Sequence, residues 1–171
     1  MAMKVFAVTD GAAAADVNEY MVNTKYVEKA ASTTRVSTTS LTGDPDLQLH
    51  LDTNKTYWME LVAPFTSPTA AGFKYSFFMP AGSVFTGYAP NYINSFGLSL
   101  VTYSSAGLLL TANIGMTNTS GSGVDDIVIV SGTLDTAGSA GNIGFQWAQQ
   151  TSNGGNTIVR AGAAMYIRRV A

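Results

Sequence analysis

Residues 141–171 read GNIGFQWAQQTSNGGNTIVRAGAAMYIRRVA, and this stretch decides the fold class of the chain. Ile143, Phe145 and Trp147 alternate with small or polar residues, which is the two-residue period of a half-buried β-strand. Residues 152–156 (SNGGN) interrupt the pattern, since Gly and Asn tolerate the positive φ of a chain reversal. We therefore expect two long antiparallel strands around a tight polar loop, with the core forming around Trp147.

The chain upstream repeats the same alternation between turn signals that are about 8–12 residues apart. Residues 43–46 (GDPD) and 53–55 (TNK) have the composition of turns, and residues 83–94 are expected to be the longest irregular segment. This spacing is typical of an antiparallel sandwich or barrel, and the unequal loops favour a jelly roll over an immunoglobulin-type sandwich. The prediction is an all-β chain, a jelly-roll-like sandwich of about eight strands.

The N-terminal part differs from the rest, because residues 12–31 contain the one helical pattern in the chain. Asp16 and Glu19 have the spacing of a capping box. One face of the expected helix would carry Val17, Tyr20, Met21, Thr24 and Val27. Asn and Thr weaken the pattern, so we expect one or two helical turns followed by extended chain. The predicted organisation is an N-terminal arm with a short helix over residues 1–35 and a β-sandwich domain over residues 36–171.

The composition excludes several classes of function. The 171 residues include 0 Cys and 1 His, which leaves no disulfide, thiolate nucleophile or His-rich metal site. With a net charge of -2 and no basic patch, nucleic acid is not an expected partner. The apolar runs are too short for a membrane span. Only 12% of the residues are charged, which favours either extensive contact between subunits or a Ser/Thr-rich surface.

The side chains that could carry chemistry form no catalytic set. His50 alternates with leucines and is expected on the outer face of its strand, and no nucleophile-elbow motif accompanies it. Asp44, Asp46 and Asp52 could ligate Ca²⁺, but an ordinary turn explains the first two better. No pair of carboxylates is selected for glycoside hydrolysis. We predict a protein without enzymatic activity, metal or cofactor.

Two further groups of side chains have a binding interpretation. Arg160 and Arg168 share a strand face and could meet acidic groups of a neighbouring subunit, or could blunt an edge strand. Tyr88 and Tyr92, among other aromatic residues, could form a sugar-binding platform facing outward. The favoured interpretation is that the same aromatic residues are buried in the core or in a subunit interface.

Three stretches together resemble a known family. Residues 13–23 (AAADVNEYMVN), residues 40–49 (SLTGDPDLQL) and residues 144–152 (GFQWAQQTS) resemble stretches of small virion structural proteins from tailed phages of actinobacteria. The similarity in order and spacing covers nearly the whole chain. Proteins of this family are labelled minor tail or virion structural proteins.

This resemblance implies a β-sandwich displayed on the particle surface, commonly as a homotrimer, and made in the host cytoplasm. Because the chain lacks a long shaft, we expect a capsid decoration protein and not a tail fibre. The alternative is a minor tail or receptor-binding protein that contacts host-cell glycans. Its partners would be further copies of itself and phage capsid or tail proteins. The arm would anchor it on the particle by strand addition and apolar packing, through Val5, Phe6, Val17, Tyr20 and Met21.

Overall fold

The computed structural model describes residues 24–88, 91–93, 97–99, 114–116 and 119–170. These residues form thirteen β-strands and no helix. The strands are β1 (Thr24–Glu28), β2 (Thr33–Arg35), β3 (Thr42–Leu51), β4 (Thr56–Thr66), β5 (Phe73–Phe78), β6 (Val84–Tyr88), β7 (Asn91–Ile93), β8 (Gly97–Ser99), β9 (Ile114–Met116), β10 (Asp126–Asp135), β11 (Gly141–Ala148), β12 (Thr157–Val159) and β13 (Ala164–Arg169).

The strands lie in two antiparallel sheets. Sheet A has nine strands, with β1-β13-β4-β10-β7-β8 as its main path, and sheet B has four in the order β3-β11-β5-β9. Eight strands pair as nested partners along the chain: β1 with β13, β3 with β11, β4 with β10, and β5 with β9. A chain folded back on itself in this way and split between two sheets is a jelly roll. The predicted all-β sandwich is confirmed, and five further short strands extend sheet A.

The core lies between the two sheets, where the inward side chains of both meet. Along β4 every second residue from Tyr57 to Phe65 is buried, as its alternating sequence requires. Phe65 of sheet A stacks on Phe73 of sheet B with ring centroids 4.0 Å apart. Phe73 in turn stacks on the fully buried Trp147 at 5.9 Å. The expected position of Trp147 in the core is therefore confirmed.

The predicted hairpin in residues 141–171 is wrong. Strands exist on both sides of the loop, but β11 lies in sheet B while β12 and β13 lie in sheet A, and residues 149–156 carry the chain from one sheet to the other. Alternation identifies the buried face of each strand and not its partner. In a jelly roll, strands that follow one another can bury their apolar faces from opposite sides of the same core.

The predicted turn at residues 43–46 is also wrong, because these residues lie within β3. Gly43 pairs with Gln146 and Gln48 pairs with Gly144, so residues 44–47 of β3 face the single residue 145 of β11. The extra residues form a large bulge, a place where a strand tolerates Pro. The Gly, Pro and Asp residues that are typical of a turn here form a bulge within the strand and do not end it.

The N-terminal prediction is only partly within the described residues. Thr24 and Val27, which we placed on the helical stripe, lie in β1, while Asp16 and Glu19 lie outside the described residues. β1 pairs with β13 and β2 with β12, so residues 24–35 belong to sheet A. Residues 83–94, expected to be irregular, contain β6 and β7.

Candidate interaction surface and buried polar cluster

The outer face of sheet A carries large apolar side chains. Cross-strand partners in an antiparallel sheet point to the same face, and Tyr26 of β1 pairs with Tyr166 of β13, which pairs with Glu60 of β4. Tyr26 is 59% exposed and Val62 is 40% exposed. The outer face, as used below, comprises Tyr26, Glu28, Trp58, Glu60, Val62, Ile129, Tyr166 and Arg168.

The polar groups of the aromatic residues on this face are paired with neighbouring carboxylates. The Tyr26 hydroxyl donates to Oε2 of Glu28 at 2.7 Å, and the Trp58 indole N–H donates to Oε1 of Glu60 at 3.1 Å. The hydrogen bond to Glu28 is the main reason why the pKa of Tyr26 is raised. With their polar groups turned to neighbours on the sheet, the rings present apolar surface outward.

The outer face of sheet B has the opposite character. Its residues are mainly polar, with Phe78, whose ring lies over Gly144, as a half-buried aromatic exception: Gln48, His50, Lys74, Ser76, Asn142 and Gln146. Gln146 donates to Ser76 at 2.6 Å across β11 and β5. Exposed aromatic and apolar side chains are typical of protein interaction sites. The outer face of sheet A is therefore the better candidate for protein contact.

The predicted binding residues are only partly within the described residues. Tyr88 is the last residue of β6 and pairs with Ser131, and Tyr92 lies in β7 and pairs with Ile127. Both backbone positions therefore border β10 in sheet A. The predicted anchoring residues Val5, Phe6, Val17, Tyr20 and Met21 lie outside the described residues.

A second feature is a buried polar cluster where β1 ends. Lys29 Nζ lies 2.9 Å from Oδ1 of Asp44 and 3.0 Å from Oδ2 of Asp46, and the Trp147 indole N–H donates to Oδ2 of Asp44 at 3.0 Å. Arg35 lies over the Trp147 ring, 4.0 Å from its centroid. Burial lowers the pKa of Arg35, while the charge of Asp44 raises it. This cluster holds the bulge of β3 against the segment between β1 and β2.

The other chemical candidates have ordinary surroundings. Asp44 and Asp46 both form ion pairs with Lys29, and no group of acidic, His or Cys side chains within the described residues is placed to hold a metal ion. His50 is exposed, as predicted, and its ring contacts Asn142. Arg160 pairs with Asp125 at 2.8 Å.

Arg168 cannot blunt an edge strand, because its strand lies inside sheet A. β13 is paired on both sides, with β1 and with β4. Arg168 itself is exposed on the outer face. The remaining interpretation of Arg168, contact with a neighbouring subunit, stays a prediction.

Comparisons with known proteins add no relative. No family model, no curated protein and no solved structure matches the chain. In the part of the chain that the structure describes, no helix has the length and hydrophobicity of a membrane span.

Sequence reasoning overlooked both features, although the sequence holds a signal for the outer face of sheet A. Trp58 occupies the outward position of a strand whose inward positions are already apolar, and that excess marks an exposed aromatic residue. For the buried cluster no local pattern in the sequence gives a signal. Lys29 and Asp44 come together only because β1 and β3, in different sheets, contact each other across the sandwich.

Proposed function

We propose that this chain is a non-enzymatic phage virion structural protein, displayed on the particle surface as a homotrimer, and that it is a capsid decoration protein anchored by residues 1–35. The observation that carries the proposal is the apolar outer face of sheet A in a chain with only 12% charged residues. A jelly roll with one aromatic face and one polar face suits a surface protein that packs against copies of itself.

A second copy of the same chain fits the outer face better than a strongly charged partner. The face combines the carboxylate of Glu60 with the guanidinium of Arg168, on adjacent strands. Around a threefold axis, Glu60 of one copy can lie against Arg168 of the next, whereas a strongly acidic or strongly basic partner would repel one of these two charges. Tyr, Trp and Arg are also the residue types most enriched in the centres of interfaces.

The capsid assignment rests on the family resemblance together with the position of β1. The first described strand begins at Thr24 and lies in sheet A beside β13. An N-terminal arm that precedes this strand would leave from the same sheet that we propose for self-association. Val5, Phe6, Val17, Tyr20 and Met21 would then contact capsid protein near the trimer.

The experiment is re-binding of purified protein to virions that lack it. Phe6→Ser and Tyr20→Ser should fold and self-associate normally and should bind particles at least tenfold more weakly. His50→Ser, on the outer face of sheet B, is the matched control and should bind like wild type. If both arm variants bind particles as wild type does, residues 1–35 do not anchor the protein.

A receptor-binding protein of the tail is the second candidate. It is favoured by one observation, that Tyr88 and Tyr92 both border β10, opposite residues four positions apart. Four residues of a strand span about 13 Å, so both positions can belong to one ligand platform. This candidate predicts that the isolated protein binds susceptible host cells and that Tyr88→Ala and Tyr92→Ala lose binding. Wild-type protein that binds no susceptible host would reject it.

A further inference from the structure

The cluster at the end of β1 has the parts needed for an acyl transfer. A lysine amine, the Nζ of Lys29, lies 2.9 Å from the Asp44 carboxyl group, and a second carboxylate, that of Asp46, lies 3.0 Å from the same nitrogen. The Trp147 indole N–H donates to Oδ2 of Asp44. A nucleophile, an electrophilic carbon, a proton acceptor and a donor to the carbonyl oxygen are therefore in contact.

The reacting groups are isolated from water. The side chains of Lys29 and Asp44 are both 0% exposed, while that of Asp46 is 37% exposed. The backbone of Lys29 is fixed as well, since its N–H donates to Ala163 at 2.7 Å and its carbonyl accepts from Gly162 at 2.9 Å. The amine is thus held against one carboxyl group in a dry site, while a second carboxylate remains open to solvent.

We propose that Lys29 and Asp44 form an intramolecular isopeptide bond, with Asp46 as the proton carrier. Burying a charged pair carries a large desolvation penalty for each ion. Amide formation removes one positive and one negative charge from the dry site. Groups held in reactive geometry behave as if at about 10⁵–10⁸ M, so condensation is strongly favoured over the same reaction in solution.

The reaction balances without an oxidant or other co-reactant. Asp46 accepts a proton from the Lys29 ammonium group and passes it to Oδ1 of Asp44, and the free amine attacks Cγ of the resulting neutral carboxylic acid. Trp147 stabilises the developing charge on Oδ2, which remains as the carbonyl oxygen of the new amide. Oδ1 leaves with the two hydrogens lost by Lys29, one of them delivered by Asp46, as one water molecule. Asp46 ends as it began, and the chain loses the mass of one water.

The bond would connect the two sheets. Lys29 directly follows β1 of sheet A, and Asp44 lies in β3 of sheet B. A covalent link at this point would stop the chain from unravelling beyond Lys29 when the residues before Thr24 are pulled, because the force would pass directly to β3. The nearby Lys25–Asp52 pair is a control within the same molecule, because its atoms are 3.7 Å apart and its side chains are 35% and 57% exposed. We expect no bond there.

The test is mass spectrometry of the full chain, expressed and purified under native conditions and then digested with trypsin. A bond at Lys29 prevents cleavage after that residue, so residues 26–35 (YVEKAASTTR) should appear linked to residues 36–55 (VSTTSLTGDPDLQLHLDTNK). The linked pair should weigh one water less than its two peptides together. Cleavage after Lys25 should be normal.

Two variants identify the roles of the residues. Lys29→Arg keeps a positive charge but has no amine that can condense, and should give unlinked peptides. Asp46→Asn should lower the rate of linkage about 100-fold or more, because it removes the proton carrier. Asp52→Asn is the matched control and should link like wild type. Folded wild-type protein that yields residues 26–29 and 36–55 as separate peptides after prolonged incubation overturns the proposal and leaves an unreacted ion pair.

Discussion

The indole N–H of Trp147 donates a 3.0 Å hydrogen bond to Oδ2 of Asp44, two residues that are 103 positions apart in the chain. Both side chains are fully buried. Trp147→Phe would keep an aromatic ring beside Phe73 but would leave the buried Oδ2 of Asp44 without its donor. We expect a loss of about 1–3 kcal/mol in the free energy of unfolding from the unpaired oxygen, with a further loss from the smaller ring. Urea unfolding followed by circular dichroism measures it.

The second of the two tryptophans in the chain supplies the control. Trp58 also donates to a carboxylate, Oε1 of Glu60, but that pair is exposed on sheet A. Trp58→Phe should change the stability of the monomer by less than about 0.5 kcal/mol, because solvent can replace the lost bond. Equal losses from the two variants would contradict the importance that we assign to the buried hydrogen bond.

A close backbone contact between β6 and β10 gives a prediction about glycine. Gly132 pairs with Gly87, and a Cβ added at Gly132 would lie 2.5 Å from Gly87 Cα and 2.6 Å from Phe85 Cζ. Since backbone cannot yield as a flexible side chain can, Gly132→Ala should destabilise the fold by about 1–3 kcal/mol. The midpoint of urea unfolding reports it.

Gly138→Ala is the matched control for that substitution. A Cβ at Gly138 would meet no atom within 4 Å. Its effect should stay within about 0.5 kcal/mol of wild type. If Gly132→Ala proved as harmless as Gly138→Ala, β6 could not lie against β10 as described.

Stability at high pH should depend on Tyr57. Its pKa is raised above the ordinary 10.0, chiefly by burial, and its hydroxyl donates to Oδ2 of Asp52 at 3.1 Å. Below pH 10.0 both the folded and the unfolded chain keep the proton, so the stabilisation is fully present there. As the pH rises further, the unfolded chain releases the proton first, and stability falls.

Tyr57→Phe tests this dependence. The variant should be about 1 kcal/mol less stable than wild type at neutral pH, because it loses the bonds to Asp52. The difference in the free energy of unfolding between wild type and variant should become smaller above pH 10.0, because only wild type has a buried phenol whose ionisation favours unfolding. Unfolding curves recorded across this range decide the point, and a difference that is the same at every pH would refute it.

The outer face of sheet A should control self-association. Val62 is 40% exposed at the middle of this face, so Val62→Glu should leave the fold intact while placing a charge in the proposed interface. We expect sedimentation velocity to show monomer where wild type forms a trimer. His50→Glu places the same charge on the outer face of sheet B and should leave the trimer unchanged. A wild-type protein that is monomeric at every concentration would contradict the proposed interface.

Periodicity predicted the strands and the buried faces well. The alternation around Trp147 and along β4 was enough, because side chains of a strand alternate between its two faces whatever the topology. Strand pairing was not predictable in the same way. Nothing local to residues 141–171 distinguishes a hairpin from two strands in opposite sheets, and nothing in residues 43–46 distinguishes a turn from a bulge.

The candidate sites show the same limit more strongly. Contact between Lys29 and Asp44 depends on two sheets meeting, and no spacing in the sequence encodes that contact. The outer face of sheet A could have been suspected from Trp58, whereas its extent follows from the register that sets Tyr26, Tyr166 and Glu60 side by side.

The central claim, a surface protein of a virion, is tested most directly by a cryo-EM map of the parent phage particle with this chain located in it. We predict density for the jelly roll in many copies over the capsid lattice, as trimers joined through the outer face of sheet A, with the N-terminal arm on capsid protein. Density confined to the tail tip would instead support the receptor-binding alternative. Particles that lack the chain altogether would contradict the account.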